Sequence, residues 1–267
     1  MIRLITGVVA GCIWLLVIYS HSQALLWSVV TIAATLALKE YYSICLVDQE
    51  KSLRFGGILT GLAPLFFAYT GDLGFVIAGF YLSLMVQILL IICRFSTIKN
   101  PFLLVAKFSF GSTYIGLCAS HLYLITSLPN GQFWLFLLSI VICSSDIGAY
   151  YVGSKLGKVK LCPTISPGKT VEGFLGGLFF AAVGAMIFAH FAAPDHDVIK
   201  ILFLAIFLSG VSVVGDLTES VFKRSNGVKD SGALLPGHGG ILDRVDSLLL
   251  TSPVLFYILY INMSGQI

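Results

Sequence analysis

The sequence predicts an all-α, polytopic integral membrane protein with about nine transmembrane helices. Of its 267 residues, 57% are hydrophobic and only 11% are charged, and the mean hydropathy is strongly positive. A soluble domain carries about 25% charged residues, so this composition excludes an ordinary soluble protein. Many apolar runs also reach the length of about 17–25 residues that a helix needs to cross a bilayer.

Nine apolar runs are long enough to be membrane spans. They are 4–20, 24–40, 55–71, 74–93, 108–127, 132–152, 171–193, 198–216 and 241–262. No long soluble segment and no internal repeat interrupts them. We therefore expect a single membrane-embedded domain over 1–267, in which 1–127 supplies N-terminal helices and 128–267 carries the candidate site.

The basic residues predict the orientation, because Lys and Arg are enriched in cytoplasmic loops. With the N-terminus placed in the cytoplasm, nearly all of them sort to the inner side. These are Arg3, Lys51, Arg54, Arg94, Lys99, Lys107, Lys155, Lys158, Lys160, Lys169, Lys223, Arg224 and Lys229. Lys200 falls outside, with Asp72, Asp195 and Asp197. This predicts a multi-pass protein of the bacterial inner-membrane type, with its active face toward the cytoplasm.

The most polar part of the chain is the stretch 220–246, and charge at membrane depth is a functional signal because it is costly. It combines three cations, three carboxylates and a glycine-rich turn. The cations are Lys223, Arg224 and Lys229, the carboxylates are Asp230, Asp243 and Asp246, and the turn runs from Pro236 through His238, Gly239 and Gly240. Hard oxygen ligands beside cations suit a phosphate-bearing substrate held by Mg²⁺.

Four carboxylates are predicted to lie at the cytoplasmic ends of spans, at similar depth: Asp146, Asp216, Asp243 and Asp246. Asp243 and Asp246 share a helical face, and if the eighth helix continues, Glu219, Ser220 and Lys223 lie on the face of Asp216. Carboxylates at one level repel unless cations intervene, which favours a metal site. The alternative is a set of unrelated interfacial acids paired with Lys and Arg.

Three further sites each leave two interpretations open. Ser166 and Lys169 precede a predicted helix start, where anions bind favourably, but Lys169 can equally be a solvated lysine; Pro163 rules out a P-loop. His238 is either a phosphate contact or a structural residue. Glu40, followed by two tyrosines, is either an interfacial anchor or a polar group that faces the helix bundle.

The polar stretch resembles the signature of the phosphatidate cytidylyltransferase, or CDP-diacylglycerol synthase, family. The matching pattern is Ser220-x-x-Lys223-Arg224-x-x-x-x-Lys229-Asp230-x-Gly232-x-x-Leu235-Pro236-x-His238-Gly239-Gly240-x-x-Asp243-Arg244-x-Asp246. Two other segments are similar to family segments, Asp146-x-Gly148-Ala149-Tyr150 and Ser166-Pro167-Gly168-Lys169-Thr170-x-Glu172-Gly173. The resemblance covers roughly the C-terminal half, while the N-terminal half matches mainly in length and hydropathy.

The resemblance implies a nucleotidyltransferase of phospholipid biosynthesis that converts CTP and phosphatidate into CDP-diacylglycerol and pyrophosphate. It implies Asp216, Asp243 and Asp246 as metal ligands and catalytic residues with His238, and Mg²⁺ as the cofactor, with a second cation left open. The substrate-binding residues are expected to be Asp146, Ser166, Lys169, Ser220, Lys223, Arg224, Lys229, Asp230, Gly239, Gly240 and Arg244. The implied partners are the two substrates and the lipid bilayer, not a nucleic acid, and we expect a homodimer.

Two other functions compete with this interpretation. One is another CTP-dependent lipid enzyme such as a polyprenol kinase, which would release CDP instead of pyrophosphate. The other is an anion transporter, for which we would expect charges near the bilayer midplane and repeated halves. The charges here cluster at one face and no repeat is visible, which disfavours the transporter.

Overall fold

The computed structural model describes residues 2–47, 51–194, 196–234 and 239–264. Within these ranges the chain is almost entirely helical, which confirms the predicted fold class. The predictions for His238 and Asp195 concern residues outside the described ranges. The same holds for Leu235 and Pro236 of the signature.

Eleven α-helices are described, some of them short. They are α1 (Ile2–Tyr19), α2 (Gln23–Cys45), α3 (Lys51–Gly61), α4 (Ala63–Ala68), α5 (Leu73–Cys93), α6 (Pro101–Gly111), α7 (Cys118–Leu124), α8 (Gly131–Leu156), α9 (Val171–Ala192), α10 (Val198–Ser225) and α11 (Leu242–Ser264). A π-helical segment, Ser112–Leu117, joins α6 to α7.

Seven helical stretches in the described residues are long and apolar enough to cross a membrane, so the protein is a multi-pass membrane protein. They are Gln23–Cys45, Leu73–Cys93, Pro101–Ser127, Gly131–Leu156, Val171–Ala192, Val198–Ser225 and Leu242–Asn262. The other two predicted spans, 4–20 and 55–71, fall on α1 and on the α3–α4 pair. Pro64 lies at the start of α4, and a proline cannot donate a backbone hydrogen bond to a preceding turn. The count of nine spans stays a prediction.

The fifth predicted span begins earlier than expected. Asn100 accepts a hydrogen bond from the Leu103 amide at 3.1 Å and caps α6, so the helix starts at Pro101 instead of residue 108. Lys107 consequently lies within the helix, where its Nζ donates to the Cys45 carbonyl at 2.5 Å. The charge of Lys107 had suggested a loop, but a long lysine stem can lie along an apolar surface and place its amine at a polar group.

The chain divides into two compact units, Met1–Pro129 with Asp230–Arg244, and Asn130–Lys229 with Val245–Ile267. The single domain that we expect from the sequence stays a prediction. The first unit has a buried polar cluster around Gln87, which is 1% exposed. The Gln87 Nε2 donates to the Ser112 Oγ at 2.6 Å and to the Thr60 Oγ1 at 3.0 Å. These hydrogen bonds link α3, α5 and the π-helical segment.

The second unit is built on α8, α9 and α10. The Ser145 and Ser209 hydroxyls lie 2.7 Å apart and join α8 to α10. Between α8 and α9 the chain forms an antiparallel hairpin of β1 (Lys160–Cys162) and β2 (Ser166–Thr170). The hairpin gives the residues before α9 a fixed backbone.

Candidate functional site

The C-terminal part of α10 carries four polar residues of the candidate site. The helix continues beyond Asp216 to Ser225, so Asp216, Glu219, Ser220 and Lys223 share a face, as the spacing predicts. Glu219 is 1% exposed, and its carboxylate forms an ion pair of 2.5 Å with the Lys223 ammonium. The Ser220 hydroxyl donates to the Asp216 Oδ1 at 3.5 Å.

Asp246 completes a group of three carboxylates with Asp216 and Glu219. One oxygen of each residue lies within 4.8 Å of the other two, and Asp246 is buried. Gly215 makes this approach possible, because a Cβ there would lie 2.8 Å from the Asp246 carbonyl oxygen. The Ser247 hydroxyl also donates to the Ser212 carbonyl at 3.3 Å. We call Asp216, Glu219 and Asp246 the acidic group.

Two lysines offset part of the negative charge of the acidic group. The Lys169 ammonium pairs with the Asp216 Oδ2, and Lys223 pairs with Glu219. Carboxylates this close repel one another when ionised, and burial strengthens that repulsion. The two lysines reduce the repulsion because each pairs with one carboxylate. Three converging carboxylate oxygens are also the hard donors that a divalent cation prefers. The acidic group therefore fits a divalent metal ion.

Asp216, one member of the acidic group, lines a cavity of about 350 Å³. Asp146 from α8, Lys169 from the hairpin and Asp216 from α10 supply its charged lining. The other lining residues are Ser145, Ala149, Tyr150, Gly153, Ser154, Leu161, Gly168, Thr170, Gly173, Phe174 and Val213. The lining thus combines charged and polar side chains with apolar ones, a combination that suits a ligand with an anionic head.

The hairpin and the start of α9 are fixed in two ways. The Thr170 Oγ1 accepts from the Gly173 amide at 3.1 Å and caps α9. The Glu172 carboxylate accepts from the Lys158 amide at 3.0 Å. Ser166 begins β2 and Lys169 lies near its end, so Lys169 belongs to a strand that leads into the helix, not to a free loop.

Arg224 and Lys229 have different surroundings. The Arg224 guanidinium donates to the Ile165 carbonyl at 3.3 Å and to the Val228 carbonyl at 3.3 Å. It therefore braces the hairpin turn against the end of α10 in addition to any contact with substrate. Lys229 is exposed at the end of the second unit.

The first unit holds Asp243, with Asp230, Gly239, Gly240 and Arg244. One carboxylate oxygen of Asp243, Oδ2, accepts three hydrogen bonds: from the Ser231 amide at 3.0 Å, the Ser231 hydroxyl at 2.9 Å and the Gly240 amide at 2.8 Å. Gly239 has a positive φ of 82°, which favours glycine. Asp230 and Arg244 are exposed.

Glu40 lies in the same unit and faces the bundle, which decides between the two interpretations of this residue. Its side chain is buried, and its carboxylate accepts from the Ile241 and Leu242 amides, each at 2.9 Å. An interfacial anchor would keep the carboxylate in water. Glu40 is therefore part of the structure around the signature.

Sequence reasoning did not select Glu219 as a ligand, although it placed the residue on the face of Asp216. The signal was its spacing of three from Asp216, which is the same spacing that drew attention to Asp243 and Asp246. In the structure Glu219 pairs with Lys223 one helical turn later. Only burial and the position of Asp246 reveal the third carboxylate.

Comparisons with known proteins match almost the whole chain. A sequence profile described as the cytidylyltransferase family matches residues 1–262. Proteins named phosphatidate cytidylyltransferase are similar in Bacillus subtilis (strain 168), at 45% identity over 64% of this chain, and in Haemophilus influenzae, at 46% over 60%. These matches span 65% and 58% of the two relatives. The protein of that name in Staphylococcus saprophyticus is 35% identical over 95% of this chain and 96% of its own length.

Proposed function

The chain belongs to the cytidylyltransferase family, and from this premise we propose that it is a phosphatidate cytidylyltransferase of a bacterial cell membrane. In the proposed reaction, CTP and phosphatidate give CDP-diacylglycerol and pyrophosphate. The name shared by the relatives supports this assignment. The signature from Ser220 to Asp246 also supports it, because many residues match and they match in the same order along the chain.

One observation carries the proposal: Asp216 of the acidic group lines a cavity of about 350 Å³ together with Asp146 and Lys169. Sites for small molecules have volumes of about 300–1,000 Å³ and combine apolar walls with a few placed polar groups. The charged residues that line this cavity suit phosphates. Its apolar lining residues suit a nucleobase or the glycerol end of a lipid.

The chemistry needs charge neutralisation more than it needs a base. The attacking group of phosphatidate is already a phosphate oxyanion, and it must approach the α-phosphorus of an anionic nucleotide. Lys169 and Lys223 reduce the repulsion between the two substrates and stabilise the departing pyrophosphate. The attack is in line, and catalysis consists mainly of positioning and electrostatic stabilisation.

The acidic group holds the metal in this proposal. Asp216, Glu219 and Asp246 would supply the oxygen donors, and the resemblance implies a metal-binding role for Asp243 as well. Bound Mg²⁺ supplies Lewis-acid stabilisation of charge on the phosphoryl oxygens. Lys169 and Lys223, which pair with Asp216 and Glu219, would be the cations that contact phosphate in the presence of the metal. A second cation stays an open part of the proposal.

The surroundings of the enzyme are also part of the proposal. The skew of basic residues supports a cavity that opens at the cytoplasmic face, where CTP is available and where phosphatidate of the inner leaflet can enter. We expect a homodimer and no binding to nucleic acid. His238 is proposed from the resemblance as a residue near the reacting groups.

The test is product identification with purified protein, Mg²⁺ and CTP, in the presence of either phosphatidate or a polyprenol. We expect CDP-diacylglycerol and pyrophosphate from the phosphatidate reaction, and loss of both products in the Asp216→Asn variant. A phosphorylated polyprenol with CDP would instead identify a lipid kinase. Accumulation of an anion inside vesicles, without any new lipid product, would identify a transporter.

A further inference from the structure

Glu40 has surroundings that its position in an N-terminal helix does not suggest. It lies near the end of α2, and only 8% of its surface is exposed. Its carboxylate accepts three hydrogen bonds, all from residues about 190 to 200 positions later in the chain. The donors are the Ser231 hydroxyl at 3.1 Å, the Ile241 amide at 2.9 Å and the Leu242 amide at 2.9 Å.

Two of these donors belong to the beginning of α11. The first amides of a helix have no acceptor within the helix, and the helix N-terminus favours negative charge. Glu40 supplies both an acceptor and a charge at this place. A buried carboxylate is costly unless its oxygens are hydrogen-bonded. The hydrogen bonds between Glu40 on α2 and the start of α11 therefore stabilise both the buried carboxylate and the helix start.

The third donor links Glu40 to Asp243. The Ser231 hydroxyl lies 3.1 Å from the Glu40 Oε2 and 2.9 Å from the Asp243 Oδ2, and it has one proton to donate. The Gly240 amide donates to Asp243 as well. Ser231 and the segment 240–242 are therefore held between two carboxylates, one from each side.

Glycine at two signature positions fits this arrangement. A Cβ on Gly232 would lie 2.7 Å from the Glu40 Oε1, and a Cβ on Gly240 would collide with both the Glu40 carboxylate and the Ser231 hydroxyl. The segments before and after the signature turn are thus shaped around the Glu40 side chain. A solvated surface acid would impose no such restriction on residues so distant in sequence.

We propose that Glu40 is a positioning residue for the transfer reaction: it fixes the start of α11 and thereby the orientation of Asp243. The proposal rests on the proposed function, because it assigns Asp243 a part in the reaction. Glu40 itself does not touch substrate. It acts through the Ser231 hydroxyl and the Ile241 and Leu242 amides.

The Glu40→Gln variant tests the proposal, because an amide keeps the size of the side chain but replaces one acceptor oxygen with a donor. One backbone amide at the start of α11 then loses its acceptor. We expect kcat to fall by about tenfold or more, with the KM for CTP changed by less than about twofold, as for an interaction that matters in the transition state. Gln87→Met is the matched control, since it also removes buried hydrogen bonds within the first unit. It should lower thermal stability and leave kcat unchanged.

Two further measurements separate positioning from general stabilisation. In a double-mutant cycle, Glu40→Gln should add little to the loss caused by Asp243→Asn, because coupled residues are not additive. Hydrogen–deuterium exchange should increase at the Ile241 and Leu242 amides in Glu40→Gln but not in Gln87→Met. If Glu40→Gln does not fold, Glu40→Asp carries the same tests, because it keeps the charge and shortens the reach by one methylene.

Several outcomes would overturn the proposal. They are a kcat equal to that of the Gln87→Met control, fully additive losses with Asp243→Asn, or unchanged exchange at the start of α11. A wild-type protein that makes no CDP-diacylglycerol would refute the proposed function and with it the catalytic part of this inference. The exchange measurement would still decide whether Glu40 anchors α11, so the two failures remain distinguishable.

Discussion

The Asp246→Asn substitution should lower the activity of the enzyme. In the absence of metal it should not lower the stability of the folded protein. The substitution keeps the shape of the side chain, and an amide oxygen can still accept the hydrogen bond that Asp246 receives from the Ser247 amide at 2.6 Å. What it removes is one negative charge from the acidic group, in which the three oxygens lie within 4.8 Å of one another.

The magnitude follows from this separation. Two ionised carboxylates 4.8 Å apart repel by about 3 kcal/mol at an effective dielectric constant of about 20. Asp246 takes part in two such pairs, while Lys169 and Lys223 offset part of the repulsion. In EDTA the variant should therefore unfold at the same temperature as the wild type or at a higher one. With Mg²⁺ the order reverses, because a ligand that binds the folded state stabilises only the protein that binds it.

The assay is thermal unfolding across a Mg²⁺ titration, with turnover measured on the same monodisperse samples. We expect the turnover of Asp246→Asn to fall at least about 10²-fold, the range for loss of a main electrostatic stabiliser. Asp72→Asn is the matched control, because Asp72 is an exposed helix cap and asparagine caps equally well. A variant at position 246 with normal turnover and a normal Mg²⁺-induced shift would refute the metal site.

Three more predictions concern the lysine, the second aspartate and the topology. Lys169→Ala should lower kcat/KM by about 10- to 100-fold, since a hydrogen bond to a charged group is worth about 1.5–3 kcal/mol; unchanged kinetics would leave Lys169 as a partner of Asp216 alone. Asp243→Asn should lower turnover at least about 10²-fold and shift the Mg²⁺ dependence, whereas a loss of stability with normal turnover would assign it only the hydrogen bonds to Ser231 and Gly240. Cysteines placed at Lys158 and Asp197 should be labelled from opposite sides of intact cells, and equal external labelling would contradict the nine-span topology.

The fold class was predictable because the bilayer imposes a strong constraint on composition and helix length. The ends of the helices were less predictable. Lys107 suggested a loop, but its amine reaches the Cys45 carbonyl from within a helix. The hairpin at 160–170 has a weak pattern of its own, and its contact with Arg224 comes from a residue that the local sequence does not reveal.

The candidate site was predictable to the extent that its residues lie close together in sequence. Asp216, Ser220 and Lys223 follow helical spacing, so their shared face could be predicted. Glu40 could not be assigned, because its partners lie at Ser231 and 241–242, and no local pattern relates residues so far apart. Contacts of this kind depend on tertiary packing, which also explains why the Glu219 and Asp246 carboxylates were not grouped in advance.

The fate of the phosphates of CTP tests the central claim most directly. Purified protein would be incubated with phosphatidate, Mg²⁺ and CTP that carries a radioactive label at either the α- or the γ-phosphorus. Cytidylyl transfer predicts that the α label enters the lipid and the γ label appears in pyrophosphate, and that Asp246→Asn abolishes both. A γ label in the lipid fraction, or labelled lipid formed equally well by Asp246→Asn, would contradict the account.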